Sequence, residues 1–240
     1  MLENLKIENL LVLDIETVPA EPLFEDLDER WQHLWAKKAK NINPDAPLDE
    51  VYEQAGIYAE FGKVICISVG IFVPSGEKFA FRVKSYFGDD ERSLLADFCE
   101  LLNSRFSTSN KALCAHNGKE FDFPYLARRI LINGLKLPYI LDTAGKKPWE
   151  VNHVDTMQLW KFGDFKSYTS LDLLAGVFNI PTPKDDIDGS MVREVYYADN
   201  DLDRIVLYCE KDIVTLANVL LKMKGLNPIE ADQIIRAEAQ

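Results

Sequence analysis

Short apolar segments alternate with polar stretches along the 240-residue chain, and their spacing predicts both strands and helices. Residues 10–13 form an apolar run followed closely by two acids, which is typical of the end of a buried strand. Residues 64–73 and 78–86 flank a Pro-Ser-Gly turn and predict an antiparallel hairpin. Residues 112–115 and 151–155 predict two further short strands. The pattern therefore predicts five strands, of which the first three form a meander.

Helical spacing accounts for most of the remaining apolar residues. Helices are predicted after Asp90, after Pro124, and over residues 170–178 and 201–223. A final polar helix is expected within residues 225–240.

The stretch over residues 19–60 departs from this alternation. It contains four prolines and two helical patches, one around Trp31 and Trp35 and one over residues 51–58. We interpret it as a partly helical insertion in a single domain that spans residues 1–240. The predicted fold class is α/β, with a mixed five-stranded sheet in which parallel strands follow the antiparallel meander and helices flank the sheet.

The composition is that of a globular chain. Hydrophobic residues make up 47% of the sequence, which is too apolar for a disordered chain. The longest apolar run has about half of the ~20 residues that a membrane helix needs, so no membrane span is expected. The first residues lack a secretory pattern, which predicts a cytoplasmic location. Four scattered cysteines form no CxxC pair and are predicted to be reduced core thiols, not zinc ligands.

The net charge constrains the class of partner. The chain has 27 Lys and Arg against 39 Asp and Glu, which gives a formal charge of −12. Proteins that coat nucleic acid depend on basic residues that displace counterions from phosphates, so this charge argues against such a protein. It is compatible with a protein that touches a few nucleotides through bound metal ions. Composition alone favours the simpler interpretation, in which the excess acid is a solvated surface that keeps the chain soluble.

The first candidate site is the pair Asp14 and Glu16, which follows the first apolar run. Side chains alternate along a strand, so both carboxylates point to one face while Ile15 points to the other. Two carboxylates on one face repel each other unless a positive group lies between them, and a divalent cation is the usual solution. The other Asp-x-Glu match, at residues 89–91, opens a helix and needs no role beyond capping.

The second candidate site lies in residues 116–129, which leave a short strand through a glycine and enter the helix near Pro124. Asp122 in this segment is either a helix cap or a functional acid. The surrounding pattern, Asn-x-x-x-Phe-Asp followed by Pro-Tyr-Leu, is more specific than a cap requires. His116 is interpreted as an ordinary imidazole at the end of a strand.

The third candidate pattern, Tyr-x-x-x-Asp, occurs four times, and spacing alone does not choose among the copies. The first copy precedes Asp122, and two others straddle predicted helix starts. Tyr208 and Asp212 alone lie well inside a predicted helix, where positions i and i+4 share a face. An acid on the core side of a helix is costly unless it is paired or bound to a metal.

Together the three patterns resemble the DEDD superfamily of 3′-to-5′ exonucleases, and most closely the proofreading exonuclease domain of family B DNA polymerases. The motifs of those domains read Asp-Ile-Glu-Thr, Asn-x-x-x-Phe-Asp-x-Pro-Tyr-Leu and Tyr-Cys-x-x-Asp. They match residues 14–17, 117–126 and 208–212. Order and rough spacing are kept over residues 7–224. The histidine branch of the superfamily has His five residues before the last acid, where this chain has Leu207, so the tyrosine (DEDDy) branch is favoured.

The resemblance implies a ribonuclease H-like fold and a two-metal hydrolase. It implies two divalent cations, Mg²⁺ or Mn²⁺, held by Asp14, Glu16, Asp122 and Asp212, with Tyr208 aligning the attacking water. By analogy with the polymerase domain, the expected substrate is the 3′ end of single-stranded DNA, and the products are nucleoside 5′-monophosphates. The alternatives are an RNA-trimming 3′-to-5′ exoribonuclease of the same chemistry and a non-catalytic nucleic-acid- or protein-binding module of the same fold.

Further residues near the motifs are candidates for substrate contact, although each has an equally good packing role. They are Thr17, Asn117, Phe121 and Tyr125. Asp155 follows the second motif and is a candidate for a supporting acid. The insertion over residues 19–60 could roof the site. We expect a free-standing nuclease or a subunit of a larger assembly, and the sequence does not identify a protein partner.

Overall fold

A computed structural model describes residues 2–76, 78–164, 168–181 and 187–237. Within these ranges, six strands form one mixed sheet in the order β5-β4-β1-β2-β3-β6. The strands are β1 Leu10–Pro19, β2 Gly62–Ser75, β3 Lys78–Phe87, β4 Ala112–Ala115, β5 Val154–Asp155 and β6 Ile234–Arg236.

The meander and the parallel strands are confirmed. Strands β1, β2 and β3 pair antiparallel, while β4 runs parallel to β1 and β5 parallel to β4. The sheet has one strand more than the five predicted, because β6 pairs parallel with the outer edge of β3.

The final helix expected within residues 225–240 is wrong over the part of that range that the structure describes. Ile229 is buried against the core, its backbone N–H donates to Asn218 Oδ1 at 2.7 Å, and the chain then pairs its backbone with β3. Residues 238–240 lie outside the described ranges.

Helices fill the predicted positions and two that the pattern missed. They are α1 Glu29–Ile42, α2 Leu48–Tyr52, α3 Glu91–Arg105, α4 Asp122–Ile132, α5 Thr156–Lys161, α6 Leu171–Val177, α7 Val192–Tyr197 and α8 Leu202–Met223. The short helices α5 and α7 were not predicted. Asp90 caps α3 and Asp201 caps α8, each by accepting a backbone N–H with its carboxylate. None of the helices in the described ranges has the length and hydropathy needed to cross a membrane.

Strand β1 is central and buries both of its faces. Leu11 and Leu13 pack with α3 and α4 in one core, while Leu10 and Val12 pack with α8 in another. The odd and even positions thus separate as a strand requires. The same alternation directs the even-numbered acids that follow toward the α8 face.

The segment between β1 and β2 carries α1 and α2 and builds its own apolar cluster around Trp35, which is fully buried. It is also tied to the main domain through hydrogen bonds. The hydroxyl of Tyr197 on α7 donates to the carbonyl of Pro19 at 2.6 Å. Arg129 on α4 donates to the carbonyl of Ala59 at 2.9 Å and pairs with the buried carboxylate of Glu91. Both ends of the segment are therefore fixed beside the end of β1.

Candidate active site

Asp14 and Glu16 lie in the second half of β1, opposite Ser68 and Cys66 of β2. Asp14 is half-buried and Glu16 is 8% exposed. Both side chains lie on the sheet face that packs against α8, as the alternation predicts. The pairing of β1 with β2 shifts register directly after Glu16, at a β-bulge. A bulge changes the local direction of a strand and of its side chains, and this one lies directly after the two acids.

Asp122 is the first residue of α4 and is 3% exposed. The loop that leads to it begins at Asn117, whose φ of 63° is left-handed. Gly118 follows, and a Cβ at that position would lie 2.3 Å from the Ala115 Cβ, so only glycine fits there. The carboxylate of Asp122 accepts the backbone N–H of Ile15. Its Oδ1 is buried and has no hydrogen-bond partner among the described residues.

Asp155 holds this loop in place. Its Oδ1 accepts backbone N–H groups from Asn117, Met157 and Gln158 at 3.1, 3.0 and 3.2 Å. Its Oδ2 accepts the backbone N–H of Lys119 at 3.1 Å. The Asp155 side chain therefore joins the start of α5 to the loop that carries Asp122. The sequence indicated a supporting acid here, and the structure shows what it supports.

Tyr208 and Asp212 occupy successive turns of α8 on the face toward β1. Their side chains are hydrogen-bonded to each other. The charge of Asp212 also acts on Asp14 and Glu16, which places all three carboxylates in one site.

The other Tyr-x-x-x-Asp copies serve different purposes. Asp90 and Asp201 are helix caps, and Asp172 lies in the first turn of α6. Leu207, where the histidine branch has its imidazole, is 47% exposed.

Cys209 is the site residue that the sequence analysis missed. All four cysteines are free and buried, as predicted. The Sγ of Cys209, however, lies 3.5 Å from Asp14 Oδ2, and its side chain is hydrogen-bonded to that of Cys66. Its position one residue after Tyr208 and three before Asp212, on the inner face of α8, was the available indication.

The acids have strongly perturbed pKa values. Burial raises the pKa of Asp14 well above its ordinary value, and the charges of Asp122 and Asp212 raise it further. Burial and the same neighbours, with Asp14 first, raise the pKa of Glu16. Burial raises the pKa of Asp122 to about 7. A positive charge placed among buried carboxylates that repel each other would favour their charged forms.

The candidate substrate residues fall into two groups. Asn117 and Phe121 are half-buried in the loop before Asp122, and Asn117 Oδ1 has no hydrogen-bond partner in the described ranges. Tyr125 is 2% exposed and donates its hydroxyl to the carbonyl of Gly56 at 2.7 Å, so its ring packs in the core. Thr17 is half-buried and contacts that hydroxyl.

His116 has the ordinary structural environment expected of it. Its ring nitrogens contact the Thr156 hydroxyl at 2.9 Å and the Thr169 carbonyl at 2.8 Å.

A mixed sheet with acids from its central strand, a nearby helix start and the long helix α8 defines an α/β protein with one cluster of buried acids. Sequence comparison shows the family to which it belongs. The model of a family described as "Predicted 3'-5' exonuclease related to the exonuclease domain of PolB" matches residues 57–234. The chain belongs to this family. The match includes Asp122, Tyr208 and Asp212 and begins after Asp14 and Glu16, so the structure is what joins the first pair to the others.

The fold has a solved counterpart. The chain is similar to the family B DNA polymerase of the hyperthermophilic archaeon Pyrobaculum calidifontis, with a TM-score of 0.50 and 17% identity over 88% of this chain. This likeness supports the ribonuclease H-like fold. The chain spans 24% of the length of that polymerase. No curated protein matches the sequence.

Proposed function

We propose that the protein is a divalent-cation-dependent 3′-to-5′ exonuclease that removes nucleoside 5′-monophosphates from single-stranded DNA ends. One observation carries the proposal. Asp14 and Glu16 on β1, Asp122 on α4 and Asp212 on α8 come from three separate elements and lie close enough for their charges to act on one another. A structural role would not require such repulsion in a buried place.

The residues fit a pair of divalent cations. Asp122 Oδ1 is buried without a partner among the described residues, and the neighbouring carboxylates are destabilised by mutual repulsion. Four carboxylates balance two divalent ions, and a set of oxygen ligands favours Mg²⁺ or Mn²⁺. Asp14, Glu16, Asp122 and Asp212 would hold them. When bound, such ions activate water and stabilise both the attacking and the leaving oxygens of an in-line displacement.

Tyr208 is the proposed group that orients the attacking water. Burial, followed by the charge of Asp212, raises the pKa of Tyr208, so its hydroxyl stays protonated near neutral pH. A protonated phenol can donate one hydrogen bond and accept another. Held by Asp212, the hydroxyl can present its oxygen to a water at the scissile phosphate without removing the proton itself.

The substrate end would enter beside the loop at Asn117. The half-buried side chains of Asn117 and Phe121 would provide a polar contact and a stacking surface, which single-strand binding generally uses. The buried ring of Tyr125 packs against Phe121 and Thr17 contacts the Tyr125 hydroxyl, so both residues would support this edge from within the fold. The segment with α1 and α2, fixed beside the end of β1, would limit which ends enter. DNA as substrate is inferred from the family's relation to a DNA polymerase domain.

The test is digestion of matched DNA and RNA oligonucleotides labelled at either end. With Mn²⁺ present, we expect a 5′-labelled DNA strand to shorten one nucleotide at a time and a 3′-labelled strand to release a mononucleotide at once. Asp14→Asn and Asp212→Asn should abolish both reactions, whereas Asp172→Asn, the matched acid of another Tyr-x-x-x-Asp copy, should retain them.

Faster loss of RNA than of DNA would favour the exoribonuclease alternative. Absence of cleavage by a wild-type protein that still binds Mn²⁺ and oligonucleotides would favour the binding-module alternative. Full activity in either the Asp14→Asn or the Asp212→Asn variant would contradict the proposal.

A further inference from the structure

A row of hydrogen-bonded side chains joins helix α8 to two strands of the sheet. Glu210 Oε1 on α8 accepts the hydroxyl of Ser85 on β3 at 3.0 Å. The Ser85 Oγ lies 2.9 Å from the Oγ of Ser68 on β2, which is fully buried and pairs with Asp14 of β1. A hydroxyl has one proton to donate, so Ser85 donates to Glu210 and accepts from Ser68. The row therefore links α8 to the strand position directly opposite Asp14.

Glu210 is itself neutralised by an arginine. Its side chain is 14% exposed and lies two residues before Asp212, so it adds negative charge beside four acids that already repel one another. Arg236 Nε on β6 donates to Glu210 Oε2 at 2.9 Å, and both carboxylate oxygens thus accept a hydrogen bond. The third motif, Tyr-Cys-x-x-Asp, leaves this position open, and hydrolysis by bound cations gives Glu210 no role.

The part of α8 that bears the site residues receives less apolar packing than the turns beside it. Ile205 before it and Ile213 after it belong to two large apolar clusters, whereas Cys209 lies in a smaller one. The charges of Asp212 and Asp14 also repel each other across the gap between α8 and β1. Without cations, this repulsion acts to separate the helix from the strand. A hydrogen bond from the sheet to this part of the helix opposes that separation.

We propose that Glu210 is a positioning residue, which fixes the rotation of α8 and thereby the places of Tyr208 and Asp212. The inference rests on the proposed function, because both of those residues belong to its site. A helix with its side chains has a radius of about 5–6 Å, so a rotation of about 10° moves its outer atoms by about 1 Å. A displacement of about 1 Å at an active site can lower the rate about 100-fold. The hydrogen bond to Ser85 prevents such a rotation.

The test follows Tyr208 in the metal-free protein and so does not depend on cleavage. 3-Fluorotyrosine incorporated at position 208 gives one fluorine NMR resonance, which reports the surroundings of the phenol. Glu210→Ala should shift this resonance and, in calorimetry, weaken Mn²⁺ binding about tenfold or more, as for supporting residues of metal sites. Ser85→Ala, which keeps the charge of Glu210, should cause the same shift, and the double variant should add nothing further.

Glu210→Gln separates geometry from charge. Its amide oxygen can accept from Arg236 while its amide nitrogen donates to Ser85, so the row is kept and only the charge is lost. This variant should have the wild-type resonance. The matched control is Asn218→Ala. Asn218 is buried on the same helix and accepts the Ile229 N–H at 2.7 Å, but it lies about 9 Å along the axis from Asp212. Its replacement should lower stability and leave the resonance in place.

An unchanged resonance in Glu210→Ala, or an equal shift in Asn218→Ala, overturns the positioning role. A shift that Glu210→Gln shares and Ser85→Ala lacks assigns the effect to charge and overturns it as well. If Glu210→Ala does not fold, the resonance of Ser85→Ala decides in the same way. A wild-type protein that neither cleaves nor binds Mn²⁺, but whose resonance responds as expected, contradicts the proposed function and leaves the positioning of Tyr208 standing.

Discussion

Asp155 Oδ1 accepts the backbone N–H of Asn117 at 3.1 Å, and this bond fixes the loop that delivers Asp122 to the site. Asp155 is 2% exposed, and its carboxylate accepts four backbone N–H groups in all. A buried residue therefore holds the loop that carries Asp122, one of the four proposed metal ligands. The arrangement predicts that changes behind the site have functional consequences.

We expect Asp155→Asn to lower both stability and activity. The amide oxygen can replace Oδ1, but the amide nitrogen would face the Lys119 N–H, donor against donor. A buried donor without a partner costs about 1–3 kcal/mol of unfolding free energy. Displacement of the loop should reduce kcat by roughly 10- to 100-fold, as for supporting residues of metal sites. Urea unfolding and the oligonucleotide assay measure the two effects.

The matched control for this change is Asp90→Asn. Asp90 also caps a helix, by accepting the Ser93 N–H, but it is exposed and is not part of the loop that carries Asp122. The Asp90→Asn substitution should therefore leave kcat unchanged. Equal activity of the Asp155→Asn variant and the wild type would show that the loop keeps its position without Asp155.

Removing the Tyr208 hydroxyl tests its proposed role in orienting water. Tyr208→Phe keeps the aromatic ring on α8 and removes only the hydroxyl that is hydrogen-bonded to Asp212. We expect kcat to fall about 100-fold or more, in the range of groups that position or transfer protons, with little change in KM. The assay is single-strand digestion at saturating Mn²⁺.

Tyr168→Phe is the control for this change. Tyr168 precedes Asp172 by the same spacing as Tyr208 precedes Asp212, and its side chain is 67% exposed. It should cleave like the wild type. If Tyr168→Phe lost activity and Tyr208→Phe kept it, the third motif would be misplaced.

The loop at Gly118 should not accept a side chain. A Cβ there would lie 2.3 Å from the Ala115 Cβ and 3.0 Å from the ring of Phe123, both of which are buried. Gly118→Ala should lower the unfolding free energy by about 1–3 kcal/mol, as other overpacked cores do. Gly176→Ala on α6 meets no atom within 4 Å and should raise it by up to about 1 kcal/mol. Equal effects of the two variants would contradict the packing described.

Asp122 contributes to the pH dependence of stability, together with Asp14 and Glu16, whose pKa values are also raised. Burial raises the pKa of Asp122 from 3.8 to about 7, so between these values the folded state binds more protons than the unfolded state. The unfolding free energy therefore falls as pH rises through that window. Asp122→Asn removes this titration. In a chelating buffer, we expect the variant to gain stability relative to the wild type from pH 5 to pH 8.

Addition of Mn²⁺ should reverse this difference in unfolding free energy at pH 8. The cation stabilises the charged carboxylate of Asp122 in the wild type, whereas the variant has lost this ligand. Urea unfolding of both proteins at each pH measures the effect. A difference in unfolding free energy that is independent of pH would mean that Asp122 does not titrate in this range.

Strand periodicity is the reason that the first acids could be predicted. Asp14 and Glu16 continue the even positions of β1, whose members Leu10 and Val12 pack on α8. Helical periodicity made Asp212 predictable in the same way, because a position inside a long amphipathic helix determines whether its side chain lies on the core side or the solvent side. These periodicities depend only on residues that are close in sequence, so they can be recognised without knowing which distant segments pack against them.

Features that depend on distant neighbours could not be predicted. Strand β6 forms because the outer edge of β3 is open, and no local pattern shows that edge. The sequence predicts a strand over residues 151–155, and β5 covers Val154–Asp155. The four N–H groups that converge on Asp155, however, come from two separate segments. The contact between Cys209 and Asp14 spans 195 positions and arises from the packing of α8 on β1.

The most direct test of the central claim is a crystal structure of the protein soaked in Mn²⁺, read by anomalous scattering. The account predicts two peaks about 3.5–4 Å apart, bounded by Asp14, Glu16, Asp122 and Asp212. Absence of any peak among these carboxylates at saturating Mn²⁺, or peaks confined to other acids such as Asp172, would contradict it.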